Sequence, residues 1–273
     1  MAEPDLLTLT SQPASVRRWI SDVVAHREVL MVLARKDFQT RYKRASLGVL
    51  WAVAVPVLQG LVMAVIFSKV IRAGTGSDFG AYVLSGTIAW AYFSSTTTIS
   101  ATAIVDGTAL TEKVWFPRVL LVIVPAISSL VGLVVSLIVL VAVLPVVGGH
   151  YDARLLMLVP ATALLILLTA ALATVLSALH VYFRDVKFMV QAAMLVWLYV
   201  TPIVYYQSLL GRLSGWIDLN PMTGVVTLFH TAVQTQPSGW WRPVAVALVE
   251  SLVLLAAGIN AQRIHDRLFV DLL

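Results

Sequence analysis

From Val119 to Val147 the chain runs twenty-nine residues without one Asp, Glu, Lys or Arg. A bilayer hydrocarbon core about 30 Å thick needs roughly 20 apolar residues in a helix. This stretch therefore constrains the fold more than any other feature: it belongs in a membrane. Other apolar stretches extend the pattern to six spans, at about 47–71, 81–105, 119–147, 155–180, 188–205 and 244–259. Peptide groups facing lipid must be satisfied within their own segment, so the spans should be helices. No period-2 alternation points to a barrel. The expected fold is all-α: a polytopic membrane protein with six transmembrane helices. Composition agrees, since 59% of residues are apolar and 12% charged, against about 25% charged in a soluble domain. The absence of cysteine excludes disulfides and thiolate metal sites. The opening MAEPDLLTLTSQPAS is acidic and lacks an apolar core, so no cleavable signal peptide is expected.

Lys and Arg set the expected orientation. With both termini in the cytoplasm, fourteen of the nineteen basic residues lie inside, and only Lys69, Arg72, Arg154, Arg212 and Arg242 lie outside. These positive charges flank apolar spans, which suits an anionic membrane surface rather than nucleic acid. The densest cluster is RKDFQTRYKR, six of whose ten residues are charged. Arg35, Lys36, Arg41, Tyr42, Lys43 and Arg44 form a basic collar at the membrane interface, just ahead of the first span. Residues 1–46 form a cytoplasmic or interfacial segment, and 47–273 a transmembrane domain. Within the former, Val16, Trp19, Ile20, Val23 and Val24 recur at helical spacing, and Leu30, Met31 and Ala34 continue the stripe. This pattern fits an amphipathic helix lying in the inner interface, or a short helix packed on a partner.

Between spans five and six, residues 206–241 are apolar in runs too short to cross, broken at Asn220-Pro221 and Pro237-Ser238-Gly239. Trp216, Ile217, Leu219, Met222 and Phe229 suit short re-entrant helices at the outer side better than a solvated loop. The loop between spans two and three, DGTALTEKVWFPR, combines charge with Trp115 and Phe116. An exposed Trp-Phe beside Glu112, Lys113 and Arg118 serves either as a docking knob for another protein or as an interfacial aromatic anchor. Well inside a span there is one ionisable residue, Glu250, which either lines a polar path or is a structural acid bonded within the bundle. No Gly-Lys pair occurs, so no G-x-x-x-x-G-K-S/T loop can cradle ATP phosphates; H-E-x-x-H and G-x-S-x-G are also absent.

The basic collar running into LGVLW, then KVWFPRVLL, YFRDVK, TPIVYY and LNPMTG, in that order and spacing, resembles the ABC-2 type permeases. The likeness is to the branch that exports lipid-linked polysaccharides (O-antigen, teichoic acid and galactan), and it covers about residues 35–273. One position departs: the family often has Pro after I-V-Y, where this chain has Tyr206. The resemblance implies a homodimer in the bacterial inner membrane, paired with two copies of a nucleotide-binding ATPase subunit. No cofactor is implied in this chain; ATP and Mg would bind the partner. Glu112, Lys113, Val114, Trp115, Phe116, Pro117 and Arg118 would form the segment coupled to the ATPase, with Arg184 and Asp185 in a second cytoplasmic turn. The external gate would include Tyr205, Tyr206, Trp216, Asn220 and Pro221.

A sugar polymer presents hydroxyls and C–H faces, so its path wants aromatic platforms and neutral hydrogen-bonding groups with few fixed charges. Tyr82, Trp90, Tyr92, Phe93 and Thr97 in span two, Trp197 and Tyr199 in span five, and Glu250 are the candidates for such a translocation path. An exporter of drugs or small lipids, a proton-driven secondary carrier, and a membrane-bound enzyme or scaffold are the alternatives.

Overall fold

The computed structural model describes residues 15–43, 48, 50–66, 77–111, 116–234 and 239–265. Among these residues every regular element is a helix. Ser15 caps the first, α1 (Val16–Ala25), by accepting the Arg18 N–H. α1 ends at His26, whose Nδ1 lies 2.7 Å from the Asp22 carbonyl oxygen, and α2 (Arg27–Tyr42) follows at once. The single stripe expected through Ala34 is thus split between two helices. Trp19 is buried, while Val16, Ile20 and Val24 remain exposed on α1. α2 packs along the helix over Val119–Val143.

Next come α3 (Leu50–Val65), α4 (Phe79–Asp106), the single turn α5 (Thr108–Thr111) and α6 (Val119–Val143). A 3-10 turn (Ala153–Met157) leads into α7 (Leu158–Tyr182), and α8 (Val186–Val200) follows. A second 3-10 stretch (Gln207–Leu213), α9 (Ser214–Ile217), α10 (Pro221–Val233) and α11 (Trp241–His265) complete the order. Among the described residues, three segments are long and apolar enough to cross a bilayer: Val119–Val143, Ala153–Tyr182 and Trp241–Ile264. Their exposed faces carry Val134, Ile138, Val159, Val249 and Val253, as lipid-facing surfaces require. The chain is a multi-pass membrane protein.

α4 is long enough at about 42 Å, but its Ser and Thr content sets it apart. Nineteen of its twenty-eight residues are buried. It packs against α3, α6, α7, α8 and α10, so most of its polar side chains meet protein rather than lipid. The hydroxyls of Thr87, Ser95 and Thr98 each donate to a carbonyl one turn back, at 2.7 Å. The expected span over 188–205 is helical only to Val200. Thr201 precedes Pro202, whose ring disfavours the α conformation at the preceding residue, and Thr201 is accordingly extended (φ −87°, ψ 132°). The helical part of the first expected span, 47–71, is α3; residues 44–47, 49 and 67–76 lie outside the described residues.

α10 is the element in 206–241 that enters the bundle. Asn220 caps it by accepting the Met222 N–H at 3.0 Å, and Pro221 fills the first helical position, where no N–H is needed. Eleven of its thirteen residues are buried, against α11, α4 and α7. The largest helix pair, α7 with α11, closes where Gly258 meets Thr174, and Gln262 Nε2 donates to the Thr174 carbonyl at 3.0 Å and to Ser177 Oγ at 2.9 Å.

Candidate functional site

Three helices each present one stripe at i, i+3, i+4, i+7 spacing to a common space that α3 and the end of α2 close. From α4 come Ile88, Ala91, Tyr92, Ser95 and Ile99; from α8, Gln191, Met194, Leu195 and Leu198; from α6, Ser129, Gly132, Leu133 and Ser136. Trp51, Val55 and Gln59 of α3 and the end of α2, Arg41 and Tyr42, complete the wall. The space is a cavity of about 790 Å³. Gly132 lets α6 approach α3, since a Cβ there would lie 2.9 Å from Ala52 Cβ. The wall is largely aliphatic, with four aromatic rings (Tyr42, Trp51, Trp90, Tyr92) and neutral hydroxyls and amides between them. Among the described residues, Arg41 is the one charged residue in it. Such a surface offers ring faces and hydrogen bonds and repels neither neutral nor amphipathic cargo.

The expected path residues separate into groups. Trp90 and Tyr92 line the cavity, and the Tyr92 hydroxyl donates to the Ala126 carbonyl at 3.2 Å, tying α4 to α6. Phe93 packs edge-on against Trp197, with centroids 5.4 Å apart. Thr97 is fully buried and its hydroxyl finds no partner among the described residues. Tyr199 is 67% exposed on α8. Glu250 sits on α11, which contributes nothing to the cavity wall. Gln59, Gln191, Ser129 and Ser136 went unpredicted. Gln59 and Gln191 carry a legible signal, each being the only amide side chain in its helix.

A second cluster joins α4, α8 and α10. The Tyr82 hydroxyl lies 2.9 Å from the Pro202 carbonyl oxygen and 2.8 Å from that of Tyr205, and its ring stacks on His230 at 3.4 Å. Tyr206 packs on Tyr82 and Phe79. Trp197 Nε1 donates to Asn220 Oδ1 at 2.8 Å, and Asn220 Nδ2 donates to Thr201 Oγ1 at 3.1 Å. Of the expected gate residues, Tyr205, Tyr206, Asn220 and Pro221 gather here, whereas Trp216 on α9 stands 73% exposed. Tyr82→Phe removes the one hydroxyl proton that the Pro202 and Tyr205 carbonyls share and is expected to cost about 1–2 kcal/mol. A Tm lowered by a few degrees in detergent, with unchanged size-exclusion behaviour, checks this.

In the loop before α6, residues 112–115 (Glu112, Lys113, Val114, Trp115) lie outside the described residues. Phe116, expected to be exposed with Trp115, is instead buried at 4% exposure beside Pro117 and Arg118 at the start of α6. Its ring therefore packs within the chain. Arg184 and Asp185 form an exposed turn between α7 and α8. In the collar, Arg35, Lys36 and Lys43 are exposed and Arg41 and Tyr42 are half-buried; Arg44 lies outside the described residues.

A family model described as "ABC-2 type transporter" matches residues 28–233. The chain is 29% identical over 244 residues to the O-antigen export system permease protein RfbA of Myxococcus xanthus, covering 88% of this chain and 93% of that protein. It is also 25% identical over 201 residues to an O-antigen export system permease protein RfbA of Klebsiella pneumoniae, covering 73% of this chain and 77% of that one.

Proposed function

This chain belongs to the ABC-2 type transporter family, and on that premise we propose that it is the permease subunit of an ATP-driven exporter of lipid-linked polysaccharide. The cargo is of the O-antigen, teichoic acid or galactan type, and the membrane is the bacterial inner membrane. The observation that carries the cargo class is the cavity between α3, α4, α6 and α8, whose wall sets aromatic rings among neutral hydroxyls and amides, with one cation. An ion path would require more coupling charges than this. Kinship with two O-antigen export permeases supports the same cargo.

In this reading the chain spans the membrane six times with both termini in the cytoplasm. α1 lies at the inner surface, and α10 with the Tyr205–Tyr206 junction forms the outer gate. Two copies enclose the route, and the exposed faces of α3 and α8 that carry Leu58, Val62, Leu195 and Val196 suit that contact. The 273 residues contain no phosphate-binding loop, so hydrolysis takes place on two copies of a separate ATPase subunit that binds ATP and Mg. Residues 112–118 and the Arg184–Asp185 turn receive its motion.

The test is export of a radiolabelled lipid-linked glycan into inverted vesicles containing the permease and its ATPase. Export that needs ATP and the partner is expected; export that follows a pH gradient without the partner refutes the reading. Replacing Glu112 and Trp115 together by alanine is expected to lower partner-dependent export at least tenfold while the permease still folds. Unchanged export would remove the coupling role from this segment.

A further inference from the structure

We propose that the α2 end of the cavity is a phosphate-binding site built on Arg41, in which Asp37 is the internal competitor for the guanidinium. This rests on the cavity being part of the cargo route, and it identifies the group of the cargo that the route grips.

Among the described residues, Arg41 is the single charge in a wall of aliphatic, aromatic and neutral polar groups. A lone cation beside a low-dielectric space demands a counter-charge. Here it finds one on its own helix: Nη2 lies 2.7 Å from Asp37 Oδ2, one turn away. That pairing is incomplete, because Nη2 is buried yet makes no aligned hydrogen bond. Nη1 donates to Ser129 Oγ at 3.2 Å, and the Ser128 hydroxyl donates to the same Asp37 oxygen that faces Arg41. Asp37 Oδ2 therefore meets two donors, Arg41 Nη2 and the Ser128 hydroxyl, while Ser129 Oγ accepts from the other arm of the guanidinium.

Through one carboxylate oxygen alone, the guanidinium fork lacks a bidentate partner. A phosphate group, with several oxygens and up to two charges, matches a guanidinium fork plus hydroxyls better. Exchange is sterically simple. Asp37 and Arg41 are 29% and 23% exposed at their side chains, so the carboxylate can rotate toward water without unwinding α2. Such i,i+4 pairs contribute little stability. The neutral wall beyond Arg41 takes uncharged cargo, so the one cation marks the position of the cargo's anionic group.

The experiment is equilibrium binding to the full chain with its ATPase partner, in nanodiscs of zwitterionic lipid and without ATP. The probes are a polyprenyl phosphate, the matching polyprenol and inorganic phosphate. The expected result is that Arg41→Gln weakens polyprenyl phosphate binding at least tenfold and Arg41→Lys less, whereas Asp37→Asn tightens it severalfold. Polyprenol binding is expected to be indifferent to all three. Competition by inorganic phosphate supports a site for the free anion as well; its failure to compete supports a lipid headgroup as the source. Wild-type affinity in Arg41→Gln overturns the site. So does weaker binding in Asp37→Asn, which a purely structural ion pair predicts and a competitor forbids. If Arg41→Gln does not fold, the sign of the Asp37→Asn effect decides alone. Glycan export that persists in variants indifferent to phosphate sinks only this site; phosphate binding by a complex that exports no glycan sinks only the cargo assignment.

Discussion

Gly224→Leu is expected to abolish accumulation of the folded permease. Gly224 sits in the first turn of α10, where a Cβ would strike the Pro243 carbonyl oxygen and come within 2.5 Å of Ala247 Cβ on α11. The obstacle is largely backbone, so no rotamer change relieves it. Both helices are pinned: α10 is buried on nearly every side, and α11 packs along α7 through Gly258 and Gln262. Overpacking a buried contact costs about 1–3 kcal/mol and more when backbone must move, and Leu adds three further carbons to a space that excludes the first. The expected readout is loss of the monodisperse peak in fluorescence-detected size exclusion. Gly215→Ala is the control, because nothing lies within 4 Å of a Cβ there; it should behave as wild type. A folded Gly224→Leu protein would mean that α10 does not pack on α11.

The contrast between these two glycines shows how far the sequence could be read. α6, α7 and α11 were legible because an uncharged apolar run of that length has only one stable environment. α4 was legible as a span despite its hydroxyls, but not as the central helix, since nothing local says which neighbours will seal Thr87, Thr96 and Ser100. The end of α8 was written in Thr201-Pro202 and was overrun, because apolar length outweighed the proline rule in placing the boundary at residue 205. α10 was expected to be re-entrant. That it is among the most buried elements follows from Gly224 and Pro221, whose value appears only when α11 is in place. Arg41 is the clearest case. Its charge was read as part of an insertion signal, a property of the linear chain, whereas its place in the cavity wall depends on α2 lying against Ser128 and Ser129, ninety residues away in sequence.

Ser95→Trp is expected to lower glycan export at least tenfold without reducing the yield of folded complex. Ser95 is exposed on α4, facing the cavity between Tyr92 and Thr98. Its hydroxyl is satisfied by the Ala91 carbonyl at 2.7 Å and holds no neighbouring helix. An indole at this position therefore grows into the cavity and leaves the core where α4 meets α7 untouched. Ser95→Ala removes only the local bond and should export normally. The pair separates volume from chemistry: if the space is the route, obstruction matters and the hydroxyl does not. Partner ATP hydrolysis reports the third quantity. A block in the route leaves the partner able to cycle, so basal hydrolysis should persist while export falls. Loss of hydrolysis together with export would instead place Ser95 in the coupling between subunits, and full export in Ser95→Trp would move the route away from this face of α4, leaving the cavity to lipid.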